Sequence, residues 1–257
     1  MRTQLIDNLV RADLHVHTAL SPCADSDMRP LQMLLTAEQH AVAVLGVVDH
    51  STARNAWAVF DVAEAFDVRV FAGLEVESAE GVHILALFDT VETAMAMDGF
   101  VAEHLPDLAN RAEFFGEQLL LDGLGHVLGL DPRLLATAVD LSIEEIADRT
   151  AALGGMSFPA HIDRQAYGLI SVLGFVPPGL QVDGFELSRH TSPADARRQW
   201  PQLAGLPLLT SSDAHLIEDI GAAATWISSD LAAAPLSARE WGQALAAELV
   251  ARGFSDS

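Results

Sequence analysis

The sequence predicts an α/β fold built around a mainly parallel sheet, and two observations carry that expectation. Short β-branched or apolar runs recur along the chain, and most are separated by stretches with helical periodicity. Parallel strands need such crossovers, whereas antiparallel ones can be joined by a tight turn. Eight runs read as strands: residues 11–17, 42–48, 68–73, 82–88, 156–160, 182–187, 206–210 and 224–227. Residues 30–40 and 53–66 carry helical patterns between them, and the direct step from the third run to the fourth is the exception.

About 70 residues separate the fourth and fifth runs and read as helices with two polar turns. The expected organisation is a main domain of residues 1–90 and 151–257 with a helical insertion at 91–150. Within the insertion, Ser142 and Glu145 form a capping box that starts a helix at Ile143; Ser237 and Glu240 repeat the device before a C-terminal helix.

Half of the 257 residues are apolar and 19% are charged, which supplies a core and excludes a disordered chain. No uncharged apolar run is long enough to span a bilayer, so no membrane partner is expected. The lone Cys23 excludes an internal disulfide, and the opening residues lack the apolar core of a secretory signal, so the expected location is the cytoplasm. All 14 basic residues are Arg against 36 acidic ones, a net charge of −22. Affinity for nucleic acid rests largely on phosphate neutralisation, so bulk nucleic-acid binding is not expected. Oligomeric state is left open by the sequence.

Chemistry concentrates at the strand ends. Six runs finish in His, Asp or Glu: His15 and His17; Asp49 and His50; Glu75; His161; Glu186 with His190; Asp213 with His215. In parallel α/β folds the carboxyl ends of strands share one face, so these groups converge despite their separation in sequence. In a regular strand His15 and His17 lie on one side with Leu14 and Val16 on the other. That pair alone reads equally well as solvent-facing. His50 is a ligand candidate and Asp49 a carboxylate to orient an imidazole, or else a helix cap with His50 exposed. Glu75 suits the bridging of two divalent ions. His83 lies within an apolar strand, where an isolated histidine would be a satisfied core residue. An imidazole and carboxylate set without thiolate points to a multinuclear hydrolytic site rather than a structural zinc or redox centre.

The strings Asp-Leu-His-Val-His-Thr from Asp13, Gly-Val-Val-Asp-His from Gly46, Gly-Leu-Glu from Gly73, Val-His-Ile from Val82, Pro-Ala-His from Pro159 and Ser-Asp-Ala-His from Ser212 resemble, in order, those of the polymerase and histidinol phosphatase (PHP) family. The resemblance spans residues 11 to 215 and implies a distorted (β/α)7 TIM-like barrel with a trinuclear metal centre. It implies that His15, His17, Glu75 and Asp213 hold a first ion, and Glu75, His83 and His161 a second. His50, His215 and a residue shortly after the first motif would hold a third. The loop there is longer than the family's Ser-Asp pattern, so Asp25 is the expected third ligand and Asp27 the next choice. Cys23 is expected to be a buried loop thiol, with ligation of a soft metal as the lesser reading.

Two or three divalent ions, zinc, manganese or iron, would acidify a bridging water and bind phosphoryl oxygens, so no nucleophilic side chain is needed. Arg164 and Arg189, each beside a strand-end histidine, are expected to clamp phosphate. His190, Asp213 or a metal-bound water would protonate the leaving group. His40, His104 and His126 lie away from the strand ends and read as structural. The expected activity is that of a metal-dependent phosphoesterase acting on a small phosphomonoester or nucleotide through a metal-bridging hydroxide. The alternative is amidohydrolase-type C–N or ester hydrolysis, which would not require the two arginines. A nuclease or proofreading module and a non-catalytic metal-binding module are less favoured.

Overall fold

A computed structural model describes residues 8–253. All eight predicted strands form. In chain order the strands are β1 (Leu9–Val16), β2 (Val42–His50), β3 (Arg69–Glu77), β4 (His83–Phe88), β5 (Leu119–Leu121), β6 (Val127–Leu130), β7 (Met156–Pro159), β8 (Phe185–Leu187), β9 (Leu208–Thr210) and β10 (Thr225–Ser228). Six form one sheet in the order β10-β1-β2-β3-β4-β7, while β8 pairs with β9 and β5 with β6. The expected seven-stranded barrel therefore does not form as one hydrogen-bonded sheet. Isolated backbone bonds take the place of ladders at its margins: Ile162 N–H to Glu186 O at 2.8 Å and Asp183 N–H to Ser157 O at 3.0 Å beside β7 and β8, and His17 N–H to Ala214 O at 3.0 Å and Ala214 N–H to His15 O at 3.3 Å beside β1 and β9.

The expectation of a mainly parallel sheet also needs correction. β1, β2 and β3 are parallel, as are β8 and β9, but β4 runs antiparallel to both β3 and β7, and β10 antiparallel to β1. The cause is the short turn between β3 and β4, which leaves no length for a crossover helix. This reversal matters for the site: His83 stands at the start of β4 and pairs with Glu77 at the end of β3, so it reaches the same rim as the carboxyl ends of the parallel strands.

One face of the sheet is built from rows that are apolar along most of their length and polar at one end. Register aligns Val48 with Gly73 and His50 with Glu75 across β2 and β3, and Gly73 with Leu87 and Glu75 with Leu85 across β3 and β4. Val44, Val48, Phe71, Leu85, Leu87 and Phe158 make up one buried cluster on this face, closed by Trp241 of the C-terminal helix Ala238–Gly253. The Trp241 ring lies 5.0 Å from that of Phe71, tilted by 55°, and donates its indole N–H to Leu231 O at 2.9 Å.

Strict alternation does not hold in β1. Ala12 and Leu14 belong to that inner cluster, whereas Val16 packs in another beneath helix Pro30–Gln39. The pairing slips between Asp13 and Val16, three residues of β1 facing two of β2. This bulge switches the parity of the strand, so that Leu14 faces inward and His15 and His17 still join the inner rim. Gly46 of β2 lies against it, because a Cβ there would stand 2.4 Å from Leu14 O.

Segment 91–150 is less helical than expected. Helices Val91–His104, Ala112–Phe115 and Ile143–Ala152 accompany the antiparallel β5–β6 hairpin, and both capping boxes form as predicted. The Leu119–Leu121 run is short and β-rich because it pairs with β6 and packs beside Ala19 and Met28, tied by Leu119 N–H to Ala19 O at 2.9 Å. Among the described residues no helix is long and apolar enough to cross a membrane.

Because the atoms facing Gly46 are backbone, Gly46→Ala should destabilise the protein by about 1–3 kcal/mol. A urea melt would register this as a lower midpoint with unchanged slope, and an unchanged midpoint would show that the bulge needs no glycine opposite it.

Candidate metal centre

Glu75 lies at the middle of the rim and is 1% exposed. Its Oε1 is 2.7 Å from His83 Nδ1, 3.2 Å from His161 Nε2 and 3.5 Å from His15 Nε2, while Oε2 is 3.1 Å from His50 Nδ1 and 3.4 Å from His17 Nε2. Asp213 Oδ1 approaches His15 Nε2 at 3.2 Å and His17 Nε2 at 3.4 Å. Three overlapping groups have ligand atoms within 4.8 Å of one another: His15, His17 and Asp213; His50, Glu75 and His83; and His17, His50 and His215. The structure thus brings together eight of the nine expected ligands, with His161 entering through Glu75. Asp25 is the ninth.

Outer hydrogen bonds orient the inner imidazoles. Asp49 accepts from Thr18 N–H, the Thr18 hydroxyl and the Ser21 hydroxyl at 2.8, 2.7 and 2.7 Å. Since Ser21 donates to Asp49, its oxygen accepts from His17 Nδ1 at 2.8 Å, which turns His17 Nε2 inward, where it can take up either a metal ion or, in the metal-free protein, a proton. Asp49 therefore orients an imidazole as expected, but through the Ser21 hydroxyl. His15 donates from Nδ1 to Glu186 Oε2 at 2.9 Å, which likewise aims its Nε2 inward. The two Nε2 atoms are 3.1 Å apart and face two carboxylates. Bare lone pairs and carboxylate oxygens at these separations repel unless a cation lies between them, and a carboxylate behind each ligating histidine is the usual support for a bound metal. His161 Nδ1 and Glu186 Oε1 are buried without a hydrogen-bond partner, so the rim still has unspent polar capacity. The donor set fits divalent ions.

Charges in the metal-free site follow the same logic. Burial opposes the charged form of every group here, yet the carboxylates around them outweigh it for His15, raised well above its ordinary value, and for His17, raised to about 9. Glu75 and Asp213 are held well below the ordinary carboxylate range despite burial, chiefly by His83 and His15 for the first and His15 and His17 for the second. Burial, reinforced by neighbouring imidazoles, keeps His50 low and brings His215 down to about 4. An ionised Asp213 accepts hydrogen bonds rather than donating them, as a metal ligand must. Backbone strain is concentrated here: Ser51, His161, Tyr167 and Asp213 all have positive φ, at a cost of about 1–2 kcal/mol each.

Other expected site residues divide sharply. Arg164 reaches the rim, its Nη2 2.5 Å from Asp213 Oδ2. Arg189 instead pairs with Asp219 at 3.0 Å, and it and the exposed His190 line a separate cleft with Arg11 and His40. Chain direction after β8 carries both away from the Glu75 rim, so neither is placed to clamp phosphate or to protonate a leaving group there. Asp25 and Asp27 are exposed; Asp25 Oδ1 accepts Asp27 N–H at 2.9 Å, and both line another cleft with Arg29. Cys23 is exposed rather than buried, its Sγ 3.1 Å from His215 Nε2, with the thiol pushed up to about 12 by desolvation and by Glu75. Sequence reasoning missed Tyr167, whose ring stacks 4.3 Å from that of His83. A lone tyrosine in a loop carries no spacing signal. His40, His104 and His126 bond Ile220 O, Asp140 and Asp122 respectively, away from the centre.

Glu186→Gln replaces the acceptor that orients His15 and should weaken metal binding about 10–100-fold; competition with a chromophoric chelator would measure it, and wild-type affinity would remove Glu186 from the support. In the metal-free protein, His17 is protonated to about pH 9 when folded but only to about its ordinary 6.5 when unfolded. That stabilisation is complete below pH 6.5 and lost as pH rises through 9. Chelator-treated protein should therefore melt progressively lower across this window, a trend that saturating metal, which competes with protons for the same lone pairs, should abolish.

A family model described as PHP-associated matches residues 196–238, which include Asp213 and His215. No curated protein matches the chain. Among solved structures it is similar to the lesion-specific Endonuclease Q of Pyrococcus furiosus, with a TM-score of 0.61 and 19% identity over 83% of this chain and 50% of that one. Endonuclease Q bound to a 27-mer duplex with an abasic lesion at its active site gives 0.57 and 19% over 81% and 50%. The chain thus spans about half the length of Endonuclease Q. A Bifidobacterium adolescentis protein named as a metal-dependent phosphoesterase gives 0.56 and 16% over 83% and 91%. An amidohydrolase of Chromobacterium violaceum with bound sulfate gives 0.53 and 22% over 82% and 89%. At these identities the likeness is one of fold. It overturns the exclusion of nucleic acid: Endonuclease Q, which has this fold over half its length, binds duplex DNA, and net charge is a poor guide because exposed charges beyond about 10 Å are largely screened. The order of the motifs, the PHP-associated match and the shared fold together bear out the resemblance to the PHP family.

Proposed function

We propose that the chain is a hydrolase, a metal-dependent phosphoesterase working at the Glu75 rim. The observation that carries this reading is the meeting of a cation-ready donor set with one guanidinium, Arg164, at 2.5 Å from Asp213. When bound, the ions would supply an acidified water and Lewis-acid contacts to the phosphoryl oxygens. His15, His17, Glu75 and Asp213 would hold a first ion, Glu75 with His83 and His161 a second, and His50 and His215 part of a third. Asp49, through Ser21, and Glu186 keep the inner nitrogens bare. Arg164 offers the planar N–H pair that matches two phosphate oxygens, a group that amide hydrolysis would not require.

Beside the rim, a cavity of about 220 Å³ is lined by His50 and His83 on one side and by Leu135, Thr137 and Tyr167 on another. It is smaller than the roughly 300–1,000 Å³ of a drug-sized ligand site, which among the expected substrates favours a small phosphomonoester over a nucleotide. Leu135 and Thr137 belong to segment 91–150, which we read as the insertion that shapes this wall. A phosphodiester in nucleic acid is the second reading, supported by the likeness to Endonuclease Q. C–N hydrolysis is the third, supported by the likeness to the Chromobacterium violaceum amidohydrolase.

The deciding experiment loads the protein separately with zinc, manganese and iron(II) and offers phosphomonoesters, phosphodiesters, lesion-bearing duplex DNA and amides. Turnover of a phosphate ester that chelation removes is expected; amide turnover alone would overturn the proposal. Arg164→Ala should lower kcat/KM for the phosphate ester about 10²-fold, in the range for loss of a transition-state donor. Arg189→Ala, which breaks only a surface ion pair, should stay within about twofold. Equal losses in the two variants would put the phosphate elsewhere.

A further inference from the structure

We propose that Glu77 selects the alcohol that leaves: the cavity beside the rim takes an ester whose alcohol donates hydrogen bonds and carries no second anionic group, with Thr137 and Tyr167 as its walls. The inference rests on the phosphoesterase reading and names the class of ester. His15, His17 and Asp213 form one ligand group of the rim, with Arg164 beside it; His50, Glu75 and His83 form another, with the cavity beside it. A phosphoryl group spanning the two therefore has the guanidinium at one end and leaves its alcohol at the cavity. Glu77 brings the one carboxylate of the lining among the described residues. Its side chain is 20% exposed, and the nearest imidazole nitrogen, His83 Nε2, is 4.0 Å away, beyond hydrogen-bond range. A largely buried carboxylate without donors is costly unless a ligand supplies them. No guanidinium lines the cavity, so a second phosphate or a carboxylate on the alcohol would meet Glu77 unneutralised, whereas hydroxyls meet it with donors.

The walls are fixed on both sides. Val139 N–H donates to Glu77 O at 2.9 Å and Ala79 N–H to Leu141 O at 2.8 Å, which stitches the segment bearing Leu135 and Thr137 to the β3–β4 turn. Opposite, His83 N–H donates to Tyr167 O at 3.1 Å, and the Tyr167 ring lies over that of His83 with 15° between their planes. The loop after β7 carries both Arg164 and Tyr167, and it closes so tightly that a Cβ at Gly168 would stand 2.3 Å from Arg164 O. One turn thus sets the guanidinium at Asp213 and the aromatic wall at His83. Thr137 and Tyr167 add hydroxyls to the carboxylate of Glu77, a lining that suits a short polyol.

Glycerol 1-phosphate, propyl phosphate and 3-phosphoglycerate share a three-carbon skeleton and differ in hydroxyls and charge, so the test compares their kcat/KM in wild type and in Glu77→Gln, with bound metal counted in each. Wild type should prefer glycerol 1-phosphate over both others by about 10–100-fold, the range for a hydrogen bond to a charged group. In Glu77→Gln, folded by circular dichroism and holding as much metal, the discrimination against 3-phosphoglycerate should shrink by about tenfold or more, because the like-charge contact is gone. Equal turnover of the three esters by wild type, or unchanged ratios in Glu77→Gln, would overturn this proposal and leave the phosphoesterase reading standing. A variant that loses metal and keeps the ratios would assign Glu77 to the support of His83 and overturn it likewise. No metal-dependent turnover of any phosphate ester would overturn both.

Discussion

A single buried carboxylate organises this molecule's working end. Glu75 has five imidazoles within 3.5 Å of its two oxygens. Burying one anion among so many nitrogens is tenable only if positive charge is shared among them. Protons supply it in the metal-free protein, which is why His15 and His17 rise and Glu75 falls. Divalent ions meet the same demand with less crowding. The outer layer, Asp49 through Ser21 and Glu186 directly, decides which nitrogen of each inner imidazole is left bare.

The fold delivers these groups by a simple device used several times over. Val44 and Val48 precede His50, Phe71 and Gly73 precede Glu75, and Leu87 and Leu85 lead back to His83, so each inner row is core for most of its length and a candidate ligand at its end. Two exceptions to regular sheet geometry complete the convergence. Reversal of β4 places the beginning of that strand at the rim, and the bulge in β1 returns His15 and His17 to the inner face after Leu14. Positive φ at His161 and Asp213 shows that the last ligands are held against local backbone preference by the packing around them.

Charge illustrates how far composition reaches. A net −22 describes the surface as a whole, but the chemistry at the rim is set by groups a few Å apart, including the Arg164 guanidinium. Endonuclease Q, which shares this fold over half its length, binds duplex DNA, so the inference from total charge to an excluded partner fails.

Much of the site was legible before any coordinates. His15, His17, His50, Glu75, His161, Asp213 and His215 end apolar runs, and a strand's period of two together with the shared rim of parallel strands is enough to expect their convergence. Capping boxes at Ser142 and Ser237 are local and were equally readable. Tertiary structure alone decided what depends on chain direction after a strand ends. Arg164 turns back to Asp213 while Arg189 turns to Asp219, and Cys23 rather than Asp25 meets His215. Loops obey no period, so one residue more or less in a turn sends a side chain to another cleft. Hydrophobic patterning determined where the ligands could stand; only the closed network of backbone and carboxylate bonds settled which loop residues stand beside them.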